Sequence, residues 1–116
     1  MCAERAWRFR LEHIIAAIDR ILRYTDGSSL AAFRQDERTM DAVVRNFEII
    51  GEASRHVPPD VRERYPEVPW SLMERMRHVL AHDYDIVDPE IVWLTIEQDI
   101  KPVRASVQAV LDQSVP

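Results

Sequence analysis

The sequence predicts an all-α fold, an antiparallel four-helix bundle, and three observations carry that prediction. Apolar residues recur at spacings of three and four through long segments, the period of a helix with one buried face. Most of the seven prolines stand at the boundaries of those segments, where they stop or start a helix. Only two glycines occur in 116 residues, too few for the many turns of a β-sandwich.

The first helix is marked by Trp7, Leu11, Ile14, Ile15, Ile18, Ile21 and Leu22, one apolar stripe about five turns long. It ends at Tyr24-Thr25-Asp26-Gly27, with Gly27 placed as the residue just past the helix. Ser28 to Phe33 reads as a short connection with room for one helical turn. A second stripe runs through Met40, Val43, Val44, Phe47, Ile50, Ser54 and Val57. Gly51 lies inside it, where glycine costs about 1 kcal/mol relative to alanine, so a close approach by another helix is expected there. Pro58-Pro59 stops this helix, since the residue before a proline avoids the α region. Asp60 to Tyr65 can form one further turn, closed by Tyr65-Pro66.

Pro69 fits the first position of a third helix, Trp70 to about Asp83. Asp88-Pro89-Glu90 supplies a side-chain cap, a proline at the first helical position and an acid at the positive end of the helix dipole. The fourth helix then carries Trp93, Ile96, Ile100, Val103, Val107 and Val110 on one stripe. Pro102 inside it should bend the helix and free a carbonyl near Gln98. Ile91, Val92 and Leu94 make the start of this helix apolar nearly all round. That surplus asks for a second partner, either a symmetric copy of the chain or the 58–69 segment folded over it. No repeat or low-complexity segment interrupts the chain, and residues 1–116 are expected to form one domain.

Composition excludes several classes. The single cysteine, Cys2, precludes an intramolecular disulfide and any multi-cysteine zinc site. No apolar run approaches the roughly 20 residues that span a bilayer, so no membrane association is expected. The N-terminal segment MCAERAWRFRLEH interleaves acids with arginines and has neither signal- nor transit-peptide character, which leads us to expect a cytoplasmic protein. The net charge of −5 disfavours indiscriminate nucleic-acid binding but leaves room for a local site. Of the 15 basic residues 14 are arginine, whose planar fork suits phosphate and carboxylate, although a coding bias produces the same excess.

The densest polar cluster runs from Glu74 to Asp85, and two chemistries compete for it. Glu74, His78 and His82 are each four apart, on one helix face, and two histidines with a carboxylate form a common zinc or iron ligand set. A single helix seldom supplies three ligands to one ion, however. The second possibility is a metal-free phosphodiester site of Arg77, His82 and Tyr84. Histidine, with an ordinary pKa near 6.5, can exchange a proton with a ribose hydroxyl or a leaving oxygen. Arginine stabilises charge building on phosphoryl oxygens. His82 lies about 140° round an ideal helix from Arg77. Convergence therefore needs a frayed helix near Ala81 or a twofold-related copy of the chain. The plainer readings are an ion pair of Arg77 with Glu74 or Asp85, and a His82 charge at a helix C-terminus.

The segment Arg77-His78-Val79-Leu80-Ala81-His82-Asp83-Tyr84 resembles the R-x4-H-x-Y signature of HepT-type toxins, a branch of the HEPN superfamily. Arg45 to Ala53 resembles that family's second-helix segment, and Pro66 to Trp70 the stretch before its third helix. Asp88 to Pro102 resembles its fourth helix with a D-x-x-P ending; together the blocks cover residues 39–103 in the right order.

This resemblance implies a HEPN four-helix bundle that forms a homodimer, with both copies of the motif around one cleft. It implies a metal-independent ribonuclease toxin, with RNA as substrate, no cofactor, and a nucleotidyltransferase antitoxin that in some pairs adds AMP to the motif tyrosine. Carried over by position, Arg77 is the transition-state stabiliser, His82 the acid/base and Tyr84 the modification site. His78 departs from the asparagine or aspartate more usual after the arginine, though it still donates and accepts hydrogen bonds. Glu48 and Glu52, one turn apart, are candidates to orient Arg77 or Arg75 across the contact at Gly51. Of the two, Glu48 is the expected supporting residue and Glu52 the solvated one. A non-catalytic module that binds nucleotide or a partner protein through the same cleft is the alternative from another class.

Overall fold

The computed structural model describes residues 3–78 and 87–113. Its regular elements are all helices, with no strand among the described residues. The longest helix, α1 (Ala3–Thr25), carries the first stripe; α2 (Leu30–Arg34) is the single turn expected in the connection. α3 (Glu37–Arg55) carries the second stripe, α4 (Pro59–Arg64) is the extra turn, and α5 (Trp70–His78) is the described part of the third helix. The fourth is built of α6 (Pro89–Thr95), a π-helical turn (Ile96–Ile100) and α7 (Lys101–Gln113) in succession.

Local chemistry sets these boundaries. Gly27 adopts φ 72°, the one positive value among the described residues, and the Ser28 amide donates to the Thr25 carbonyl at 3.0 Å to finish α1. Asp36 caps α3 by accepting from the Thr39 amide, and Asp88 caps α6 by accepting from the Glu90 amide at 2.9 Å. The expected disturbance from Pro102 takes the form of the π turn just before it. The wider turn re-phases backbone carbonyls that the proline, having no N–H, cannot serve.

α1 lies at the centre of the packing, with α3 against one side and α7 against another, while α5 lies on α3. The core joins Leu11, Ile14, Ile18 and Ile21 of α1 to Phe47 and Ile50 of α3, Met73 and Met76 of α5, and Val103 and Val107 of α7, all buried. Each such side chain contributes about 1.5–3 kcal/mol by leaving water. Phe33 of α2 is buried against Trp93 of α6, ring centroids 5.3 Å apart, which closes one end of the bundle.

Polar clasps fix the register between helices. Arg20 Nε donates to Asn46 Oδ1 at 2.7 Å, joining α1 to α3, and the buried Asn46 amide donates in turn to the Ala42 carbonyl at 2.8 Å. Arg104 donates twice to Asp19, at 2.7 and 3.2 Å, joining α7 to α1. Ile91 and Leu94 remain 49% and 43% exposed, so the 58–69 segment does not cover the surplus apolar face of α6. No helix among the described residues is long and apolar enough to cross a membrane.

Candidate active site

The site begins at Gly51. A Cβ built there would lie 2.6 Å from Arg77 Cβ, 3.0 Å from the Arg77 amide nitrogen and 3.2 Å from the Met73 carbonyl. Only a residue without a side chain lets α5 settle this closely on α3, as the mid-helix glycine predicted. The contact places the base of Arg77 directly on α3, one residue from Glu52.

Glu52, rather than Glu48, is therefore the partner of Arg77. Arg77 Nη1 donates to Glu52 Oε2 at 3.0 Å. Glu48 lies one turn back along α3 and pairs with Arg45 at 3.6 Å. The expected ranking of the two acids is reversed because the residue adjoining Gly51 is the one nearest the guanidinium. Glu52 also bonds His56 Nε2 at 3.1 Å and accepts from Arg55 Nη2 at 3.4 Å. Hydrogen bonds from His56 and then Arg77, with the Arg55 charge nearby, hold the Glu52 carboxyl below the usual carboxylate range. A carboxylate that stays ionised in this way fixes the direction of the Arg77 fork.

Glu74 is committed elsewhere. Its Oε1 accepts from Arg62 Nη2 at 2.8 Å, and Arg62 also donates to the carbonyls of Ser54 and Val57. Arg62 thereby ties the end of α3 to α5, which removes Glu74 both as the ion-pair partner of Arg77 and as a ready metal ligand. His78 ends the described part of α5, and its side chain falls outside the described set. His82 and Tyr84 also lie outside the described residues.

Arg77 is half-buried at the rim of a groove of about 540 Å³ between α1 and α3. Besides Arg77, Glu52 and Glu48, the groove is lined by Arg10 and His13 of α1 and by Arg45 of α3. The sequence reading missed Arg10 and His13 and gave Arg45 no role. A signal existed: Arg10 and His13 are three apart beside the apolar stripe of α1, and Arg45, Glu48 and Glu52 follow one edge of α3. Three arginines and a histidine converging on one concavity can bind and polarise a phosphoryl group.

Residues 14–110 match the model of the HepT-like ribonuclease family. The chain is 40% identical over 101 residues to a Thermococcus cleftensis protein named "Probable ribonuclease HepT", covering 87% of this chain and 92% of that one. It is 35% identical over 103 residues to a Caldanaerobacter subterraneus protein named "Putative RNase", covering 89% and 92% respectively. A third relative, 32% identical over 103 residues, is a Methanocaldococcus jannaschii protein named "Gamma-glutamylcyclotransferase and putative RNase". This chain spans only 46% of its length. No solved structure matches the chain significantly. The chain belongs to the HepT-like ribonuclease family, and the bundle with Arg77 at its groove is a HEPN helical domain of that family.

Proposed function

We propose that the chain is a HepT-type toxin, a homodimeric and metal-independent endoribonuclease held silent by a nucleotidyltransferase antitoxin. The observation that carries this reading is the Glu52–Arg77 pair at the rim of an arginine-lined groove, in a chain of ribonuclease family.

In this mechanism the ribose 2′-oxygen attacks the adjacent phosphorus while His82 takes the 2′-hydroxyl proton. The bond from phosphorus to the 5′-oxygen breaks, and that oxygen receives a proton from the His82 of the second copy. The products are a 2′,3′-cyclic phosphate and a 5′-hydroxyl, with protons balanced. Arg77 stabilises the negative charge gathering on the non-bridging oxygens, and Glu52 keeps its fork aimed. Glu48 supports the same edge of α3 through Arg45, and His78, next to Arg77 in sequence, is assigned a supporting role.

The dimer draws support from α6, where Ile91 and Leu94 offer apolar surface that the described residues leave exposed. AMP added to Tyr84 would bring a phosphate's negative charge beside the cleft, occupy Arg77 and repel an RNA backbone. The decisive test is expression of the chain alone, with and without His82→Ala. The parent arrests growth and cleaves RNA in the presence of EDTA; His82→Ala does neither while keeping fold and dimer. A fully toxic, fully active His82→Ala protein would falsify the catalytic assignment. Intact mass of the chain co-expressed with its genomic neighbour, mapped around Tyr84, tests the AMP switch.

A further inference from the structure

Phe9 is the most exposed large apolar side chain among the described residues, at 53%. It does not belong to the buried stripe of α1. Its ring lies 4.2 Å from the His13 ring, centroid to centroid, at an interplanar angle of 52°. His13 in turn lines the groove with Arg10, Arg45 and Arg77. An exposed aromatic pair therefore adjoins a groove lined by three guanidinium groups and two carboxylates.

The two carboxylates of the groove are engaged, Glu52 by Arg77 and Glu48 by Arg45. Arg10 makes no hydrogen bond or ion pair among the described residues, which leaves its guanidinium open to an incoming phosphate. The volume of about 540 Å³ falls within the roughly 300–1,000 Å³ of pockets that take small-molecule ligands.

We infer that this groove is a binding track for single-stranded RNA, in which Phe9 and His13 stack an unpaired base while Arg10 and Arg45 hold the phosphates leading to Arg77. The inference rests on the ribonuclease reading and deepens it by naming the form of the substrate. An aromatic face can engage only a base that is out of its pair, so a stacking platform beside a basic groove selects single strands over duplex. A duplex binder would need a broad basic face, which a net charge of −5 disfavours, whereas the three arginines of the groove suit a track a few nucleotides long.

The test uses the full chain and a fluorescent, fully 2′-O-methylated RNA 12-mer, single-stranded or annealed to its complement, so that binding is read without cleavage. The wild-type chain binds the single strand at least about 10-fold tighter than the duplex. Phe9→Ala weakens single-strand binding by about 5- to 150-fold, as loss of one stacked base does. Phe9→Tyr restores it and Phe9→Leu does not, which separates stacking from apolar bulk; a melting curve for each variant controls for folding. Arg10→Ala and Arg45→Ala each flatten the slope of log affinity against log salt by roughly 0.7. In parallel, cleavage of unmodified RNA is followed. A chain that cleaves RNA yet is indifferent to Phe9→Ala and Arg10→Ala overturns this inference and leaves the ribonuclease reading standing. A chain that neither binds nor cleaves RNA overturns both. Variants that keep RNA affinity but lose a nucleotidyltransferase partner assign the groove to protein docking and also overturn it.

Discussion

Gly51 and the base of Arg77 approach too closely for a side chain on Gly51: a Cβ there would sit 2.6 Å from the Cβ of Arg77. The residue that stabilises a transition state in the proposed mechanism is thus positioned by the absence of a side chain on the neighbouring helix. Gly51→Ala gains about 1 kcal/mol of helix propensity but must push α5 away. The obstructing atoms are the Arg77 Cβ and amide nitrogen and the Met73 carbonyl, none of them the flexible end of a side chain. Overpacking of this kind costs about 1–3 kcal/mol and also displaces Arg77. Urea unfolding should show net destabilisation, together with a fall in kcat. A Gly51→Ala protein as stable and active as the parent contradicts the close-approach account.

The two acids of α3 should separate kinetically. Glu52→Gln keeps a hydrogen-bonding side chain but removes the charge that fixes the Arg77 fork. We expect kcat to fall about 10-fold with KM within about 2-fold, the pattern of an interaction that matters mainly in the transition state. Glu48→Gln, acting through Arg45, should lower kcat less. Equal losses from the two variants would refute the positioning role assigned to Glu52.

The apolar surplus on α6 predicts an assembly. The double variant Ile91→Asp, Leu94→Asp should raise the dimer dissociation constant by at least about 100-fold, given about 1.5–3 kcal/mol for each buried aliphatic side chain. Sedimentation should show monomers with unchanged helix content, and RNA cleavage should be lost with the second copy. A double variant that stays dimeric places the interface elsewhere.

Acid should unfold the chain through specific carboxylates. The hydrogen bond from Arg104 holds Asp19 below the usual range, the Thr39 hydroxyl and amide do so for Asp36, and His56 and Arg77 do so for Glu52. Because the folded pKa values are depressed, the unfolded chain binds more protons in acid, and stability rises with pH through that window. The urea midpoint should be level from pH 7 to about 5 and drop progressively from about pH 4 downward. Asp19→Asn should shrink the drop. A midpoint unchanged down to pH 3 would show that these pairs contribute nothing.

Much of the architecture was legible because its signals are local. Gly27, Pro58, and the Asp88-Pro89 pair each mark a boundary by their own backbone chemistry, and the structure places helix ends at all three. Pro102 announced a disturbance whose form, a π turn over Ile96–Ile100, depends on how α7 packs on α1. Gly51 announced a close approach but not which residue of α5 would arrive there. The groove was far less legible. Placing Arg10 and His13 beside Arg45 and Arg77 requires the rotation of α1 relative to α3, a property of interhelical packing rather than of spacing along one helix. The exchange of roles between Glu48 and Glu52 has the same origin, since a shift of one turn in register decides which acid meets the guanidinium.

The most direct measurement of the central claim is cleavage of single-stranded RNA in EDTA by the wild-type chain and by Arg77→Lys, with product ends identified by mass. Lysine keeps the charge but loses the planar fork that Glu52 orients and phosphoryl oxygens match. The account predicts a cyclic phosphate product from the wild type and a fall in kcat of about 100-fold or more for Arg77→Lys, with thermal stability nearly unchanged. An Arg77→Lys protein that cleaves within about 2-fold of the wild type would contradict it.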